Sequence, residues 1–559
     1  MKNGLPLKVL PPYLFFLALL SLISCQEAGP KADLILTNAN IWTGSESQPS
    51  AQAIAVLADT ILAIGSNSEL EKYKGHTTEI INVGNRFITP GFIDSHVHLL
   101  MGGNSLLNVE LRDAQTPEEF TRRIADFAET IDPGTWIMEG NWDHTLWGGE
   151  LPKKEWIDPY TQNNPVAVYR LDGHMVFANS AALDFAGIDK DTPDVPNGEI
   201  VRDDKGIPTG ILKSNAMGLL LDKIPPLTKT QKKKALKEAS HYFLSHGVTS
   251  VHDVDSLGTA EVAQELLDSG ELSLRIYSAK PLNRWKEAQR KISSDELWLK
   301  TGIVKGFIDG SLGSHTASFM EPYTDKPADN GLFINSEANL YQWISEADKA
   351  GLHIQVHAIG DNAIHTLLEI YERIVKENGK KERRLRIEHA QHISKQDLHR
   401  FGELDIIASV QPYHAIDDGR WAETLIGPER VKTTYAFQSL LDAKTILAFG
   451  SDWPVAPGNP LTGIYAAVTR NTLDGKNPNG WVPEQKISTE EALRAYTKNG
   501  AYASFDETVK GTLEPGKLAD FVILSEDIQK IDPKKIREVK VMATYLGGKL
   551  VYENDQKKN

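Results

Sequence analysis

The sequence predicts an α/β fold: a (β/α)8 TIM barrel with a large cap insertion, plus a small β-sandwich built from both chain ends. Three observations point there. Between about 86 and 508 short apolar segments alternate with helical patterns, the segments near both termini are strand-like without helices between them, and most central strand candidates carry a histidine, lysine or aspartate near their ends. Apolar strands alternating with helices imply a parallel sheet covered on both faces, and eight units imply a barrel whose chemistry sits at the C-terminal strand ends.

A chain of 559 residues exceeds what one hydrophobic core usually organises, so a large and a smaller domain are expected. With 41% hydrophobic and 24% charged residues and a mean hydropathy of -0.32, the composition is that of a globular protein. A net charge of -15 argues against nucleic acid as partner and for a small-molecule substrate.

The N-terminus differs in kind. Lys2 and Lys8 precede an apolar run at 10–24 that is short for a membrane span and suits the h-region of a secretory signal. It ends in Leu22-Ile23-Ser24-Cys25, which resembles a bacterial lipobox, and Cys25 is the only cysteine. Residues 1–25 thus read as a lipoprotein signal peptide, with Cys25 lipidated and the protein exported to the bacterial cell envelope, held to the membrane by that lipid alone. An ordinary cleaved signal with an incidental cysteine is the competing reading. A single cysteine rules out an intramolecular disulfide.

Strand-like segments follow at 33–42, 53–65 and 79–83, and matching ones at 518–525 and 539–553, the last broken by Gly547-Gly548, a hairpin signal. Residues 26–85 and 509–559 are therefore assigned to the sandwich, and 86–508 to the barrel. Its strand candidates are 86–99, 247–254, 274–279, 303–310, 352–360, 385–390, 405–412 and 445–452. The stretch 100–227 is far longer than a βα loop and reads as a cap over the mouth. It holds a helix at 116–131, with Thr116 as N-cap and Pro117 at the first position. Asp143, His144 and His174 are its candidate substrate contacts, the competing role being to satisfy backbone groups within the cap. The lysine-rich run 228–247 has apolar residues at helical spacing, so its lysines read as a solvated face.

His96 and His98 close the first strand candidate. Side chains at i and i+2 leave the same face about 6.5–7 Å apart and can share an ion, although a His-x-His alone is equally compatible with core packing. Lys305 lies in the fourth candidate, His357 in the fifth, His389 in the sixth and Asp452 in the eighth. A barrel would bring these six to one mouth, a metal site in the making.

The chain resembles the amidohydrolase superfamily, in its amidohydrolase-3 branch with the YtcJ-like proteins and N-substituted formamide deformylases. The resemblance rests on PGFIDSHVH at 90–98, VKGFIDGSLGSHTA at 304–317, QVHAIGD at 355–361, RIEHAQ at 386–391, VQPYHA at 410–415, GSDWPV at 450–455 and GTLEPGKLADFVIL at 511–524. It implies two divalent metal ions, usually zinc, with His96, His98 and Asp452 on one, His357 and His389 on the other, and Lys305 bridging both as a CO2-derived carbamate. A lysine cation would repel the ions, so the amine must be neutralised or converted to an anion. Asp452 beside the bridging water suits a proton shuttle, and His414 is the candidate for stabilising the tetrahedral oxyanion.

The expected activity is metal-dependent hydrolysis of a non-peptide C–N bond in a linear amide, N-formyl compound or cyclic amide. A deaminase, isomerase or C–O hydrolase on the same fold, and a non-catalytic solute-binding lipoprotein, are the alternatives; assembly as a homodimer is left open. One departure from the family pattern falls at Ser214, near which an acidic residue is expected.

Overall fold

A computed structural model describes residue 1 and residues 29–171, 174–196, 198–254, 257–288 and 294–554. The signal segment and Cys25 lie outside the described residues. No helix among them is long and apolar enough to cross a membrane.

Eight parallel strands follow one another round a barrel in chain order: Phe92–Val97, Val248–Asp253, Arg275–Pro281, Leu299–Phe307, His353–Ala358, Arg386–His389, Ile407–Val410 and Leu447–Phe449. The first is buried at every position, as expected of a strand walled by barrel interior on one face and helices on the other. The last strand meets the first through a parallel bridge between Val97 and Trp453.

Two boundaries differ from the sequence reading, each for a physical reason. The segment 86–99 is two strands in two sheets: Phe87–Pro90 pairs with Phe521–Leu524, whereas Phe92–Val97 pairs with Val248–Asp253. Gly91 makes the transition where a Cβ would lie 2.3 Å from Thr249 Oγ1. The fourth strand starts at Leu299, earlier than its apolar run, because the polar Lys300 that masks the pattern is buried against Asp506 at 2.7 Å.

The chain ends form two sheets. One orders Thr60–Gly65, Ala53–Leu57, Leu34–Thr37 and Glu79–Asn82; the other joins Lys549–Glu553, Val541–Leu546, Phe521–Leu524, Phe87–Pro90, Asn40–Trp42 and Ser50–Ala51. Leu36 and Ile54 from the first share one apolar cluster with Ile88, Phe521 and Tyr545 from the second.

The insertion carries its own six-stranded sheet, Val109–Glu110 to Pro208–Ser214, on which Phe120, Trp142 and Phe177 pack. The helix Pro117–Ala128 starts where expected, Thr116 Oγ1 accepting from the Glu119 N–H. In the helix Lys229–Ser245 the face with Ala235, Leu236, Ala239 and Phe243 is buried. Three of its lysines pair with carboxylates: Lys229 and Lys233 reach Glu265 at 2.5 and 2.9 Å, and Lys237 pairs with Glu271.

Barrel and end sheets are joined by a buried ion pair. Arg275, in the third barrel strand, donates to both oxygens of Asp520 at 2.6 and 3.0 Å, and Asp520 also accepts from the Gly547 N–H at 2.7 Å. Removing one partner of such a pair leaves the other charge buried and unmatched, which costs about 3–5 kcal/mol. Asp520→Ala is therefore expected to lower unfolding stability by roughly that amount in urea titrations, and the Arg275→Leu, Asp520→Leu double variant by much less.

Candidate metal centre

His96, His98, Lys305, His357, His389, His414 and Asp452 all line one cavity of about 660 Å3 at the barrel mouth. Residues up to 356 positions apart are thus brought together by strand order alone, from His96 to Asp452.

The donor atoms are oriented by their neighbours. His96 donates from Nδ1 to Glu388 Oε2, His389 from Nδ1 to Gln411 Oε1 at 2.8 Å, and His357 from Nε2 to the Gly310 carbonyl at 2.9 Å. Each acceptor fixes a tautomer and leaves the other ring nitrogen as a lone pair, the arrangement by which metal-binding histidines are held. His96 and His389 have ring centroids 4.8 Å apart, and His389 and His357 4.5 Å. Asp452 Oδ1 lies 3.5 Å from His96 Nε2 and 3.3 Å from His98 Nε2. One donor atom from each of these three lies within 4.8 Å of the others, so the set fits one divalent cation.

Electrostatics agree with neutral imidazoles at His96, His357 and His389. Burial and Lys305 lower the His96 pKa to about 4 and that of His357 to about 3. Burial also brings Lys305 down to about 8, against the pull of Glu388 and Asp452. Its Nζ is 3.5 Å from His96 Nε2. Asp309 does not serve as its counter-ion: that carboxylate accepts from the Ser318, Ile359 and Gly360 N–H groups at 2.9–3.0 Å. Burial works against ionisation of Asp452, but His414 and His98 hold it well below the usual carboxylate range. His414, 3.3 Å from Asp452 Oδ2, is shifted upward because that carboxylate outweighs its burial.

Four residues that matter here escaped the sequence reading. Glu388 is fully buried and shared: Oε2 takes His96, and Oε1 takes Arg386 Nε at 2.8 Å. Arg386 is itself anchored on the Ser95 carbonyl, Ser409 and His252. Asp94 Oδ1 accepts from the His96 and Ser451 N–H groups at 3.2 and 2.9 Å, clipping the first strand to the last. Gln411 orients His389 from the N-cap of the short helix Pro412–Asp418, which carries His414. The available signal was two charges, Arg386 and Glu388, inside an otherwise apolar strand.

The cap candidates stand elsewhere. Asp143 caps its own turn through the Thr145 N–H at 3.0 Å and lies 3.5 Å from Arg170, whose Nε is 3.3 Å from His144 Nδ1. The His174 carbonyl accepts from the Ser214 N–H at 3.0 Å. Among the described residues, the cap's contribution to the cavity wall is Leu171. Ser214 has φ +49° and ψ -126°, a strained backbone for a residue with a side chain.

Comparison with known proteins agrees with this geometry. Residues 79–552 match the model of the amidohydrolase family. The protein LONG AFTER FAR-RED 3 of Arabidopsis thaliana is 41% identical over 541 residues, covering 94% of this chain and 92% of that one. An N-substituted formamide deformylase of Arthrobacter pascens is 28% identical over 93% of this chain and 98% of its own. The crystal structure of an uncharacterized metal-dependent hydrolase from Pyrococcus furiosus superposes with a TM-score of 0.75 at 30% identity, over 89% of this chain and all of the other. The chain belongs to the amidohydrolase family and is a metal-dependent hydrolase of small molecules.

Proposed function

We propose that this hydrolase cleaves a non-peptide C–N bond in a linear amide, an N-formyl compound or a cyclic amide. The observation that carries the reading is the His96, His98 and Asp452 donor set beside a buried lysine. The similar Arthrobacter protein, an N-substituted formamide deformylase, supports the bond class. Two divalent ions, zinc by preference, would be held by His96, His98 and Asp452 on one side and His357 and His389 on the other. Bound there, such ions polarise a carbonyl and lower the pKa of a water from near 16 to about 7.

The chain supplies the rest. At physiological pH a buried lysine shifted to about 8 is partly the neutral amine. That amine adds to CO2 and loses a proton, giving an N-carboxylate whose charge suits a site between two cations. Asp452 takes a proton from the attacking water and returns it to the leaving nitrogen, a step that contributes about 10²–10⁴-fold in rate. His414, favoured as imidazolium by Asp452, presents N–H to the developing oxyanion. Beyond the reaction, we propose that the precursor is exported and lipidated at Cys25.

Three outcomes are expected. Metal analysis of purified protein, with amine release from a panel of N-acyl and cyclic amides, tests the reading directly; in Asp452→Asn, kcat should fall by about 10²-fold or more while helical content and metal persist. Near-normal kcat would remove Asp452 from the proton shuttle. Lys305→Ala should lose metal and most activity, and acetate or propionate should restore part of both by filling the vacated space; two tightly bound ions with full turnover would exclude the carbamate. Cys25→Ala should leave a folded protein in the salt-washed soluble fraction, whereas retention on membranes would exclude the lipid anchor.

A further inference from the structure

We infer that the substrate carries an apolar group of aryl or branched-alkyl size beside the scissile bond, and that this group lodges in a second cavity next to the ligand cluster. The bond itself rests on the C–N hydrolase reading above; the cavity does not.

This second cavity, of about 430 Å3, shares His98, Lys305 and Phe307 with the main one. Beyond that shared floor its character changes. Met101 comes from the helix Leu99–Leu106, Val254 follows the second strand, Leu282 follows the third, and Leu340 and Trp343 come from the helix Glu337–Lys349. Two asparagines complete the polar lining, and Asn335 is engaged with the Phe307 carbonyl at 2.9 Å. No carboxylate lines it among the described residues, whereas the main cavity has Asp417, Asp418 and Asp452.

Shape and chemistry together select the occupant. A cavity of about 150 Å3 lined by aliphatic side chains holds benzene, so this one accommodates a benzyl group or a bicyclic ring. Phe307, at the junction of the two cavities, is 39% exposed, apolar surface that such a group would cover. A charged or strongly polar substituent entering here would give up water for a wall that, beyond the shared floor, offers two asparagines and, among the described residues, no carboxylate. The main cavity, with its carboxylates and His414, is left for the polar part of the substrate.

The test is calorimetric binding to metal-loaded protein, with amine release followed in parallel. The probes are N-methylacetamide, N-benzylacetamide and its isomer N-methyl-2-phenylacetamide. One of the two phenyl compounds should bind at least about 10-fold more tightly than N-methylacetamide, since a single methylene in an apolar pocket is worth about 10–200-fold. Met101→Trp, which narrows the cavity, should reduce that preference relative to N-methylacetamide, and Trp343→Ala, which widens it, should shift the optimum to a naphthylmethyl amide. Equal binding of all three probes by the unmodified protein, or a preference that neither variant alters, overturns the inference. Amide hydrolysis without size preference defeats the cavity assignment alone; size-selective binding with no amine release from any amide upholds it and defeats the C–N reading.

Discussion

The structure depends most on the seam where the first barrel strand meets the last. Asp452 donates its N–H to the His96 carbonyl, and His98 donates its own to the Trp453 carbonyl, both at 2.8 Å. The contact is so close that a Cβ on Gly450 would sit 2.6 Å from the His96 nitrogen. Closing the barrel and assembling His96, His98 and Asp452 are consequently one event. The same closure holds Asp452 at φ +63°, and His389 stands at φ +70°, conformations that cost about 1–3 kcal/mol each for residues with side chains. A rigid, multiply bonded seam can carry that strain where a loop could not.

Charge at the mouth is organised in tiers. Arg386, with its three guanidinium nitrogens bonded inside the barrel, neutralises Glu388, and Glu388 in turn holds His96. Lys305 and Asp452 face each other across the ligand cluster. Within this foursome the cations Arg386 and Lys305 offset the carboxylates Glu388 and Asp452, so it contributes no surplus negative charge toward a pair of divalent ions. Converting Lys305 from a cation to a carbamate changes the balance by two charges, and no other ligand residue named here has chemistry that does so. That is the electrostatic case for modification, and it is independent of family likeness.

What was legible in the sequence follows from what a single strand can reveal. Alternation of apolar runs with helices marks a parallel barrel, and a histidine or aspartate near an apolar run is visible because it interrupts the run. Gly91 sits inside a single strand candidate, and nothing local marks it as a crossing between sheets, since sheet membership depends on partners far away in the chain. Glu388 and Arg386 were hidden for a related reason: in RIEHA they look like the polar face of a half-exposed strand, and only barrel closure turns that face inward. Lys300 misled in the same way, its charge being cancelled by Asp506 from the far end of the chain. The cap sheet was missed because its short strands pair out of chain order, Met175–Ala178 lying between Pro208–Ser214 and Val166–Arg170.

The division between barrel and cap explains why reaction class and substrate are unequally readable. The ligand set is fixed by strands whose apolar packing belongs to the main barrel core. The cap buries its aromatic and aliphatic residues in two clusters of its own, around Phe120 and Trp142 and around Leu183 and Leu212. Substitutions within those clusters can reshape the cap without disturbing the Asp452 seam, because no cap side chain named here touches a metal-ligand candidate. Leu171 on the cavity wall can therefore change without altering the ligand set, while His96, Glu388 and Arg386 are tied to one another by buried charge. The side cavity lies mostly on the barrel side of this division, lined by Leu282 and Trp343 with Met101 from the start of the inserted stretch, so most of the apolar part of substrate recognition is built into the same frame as the ligands.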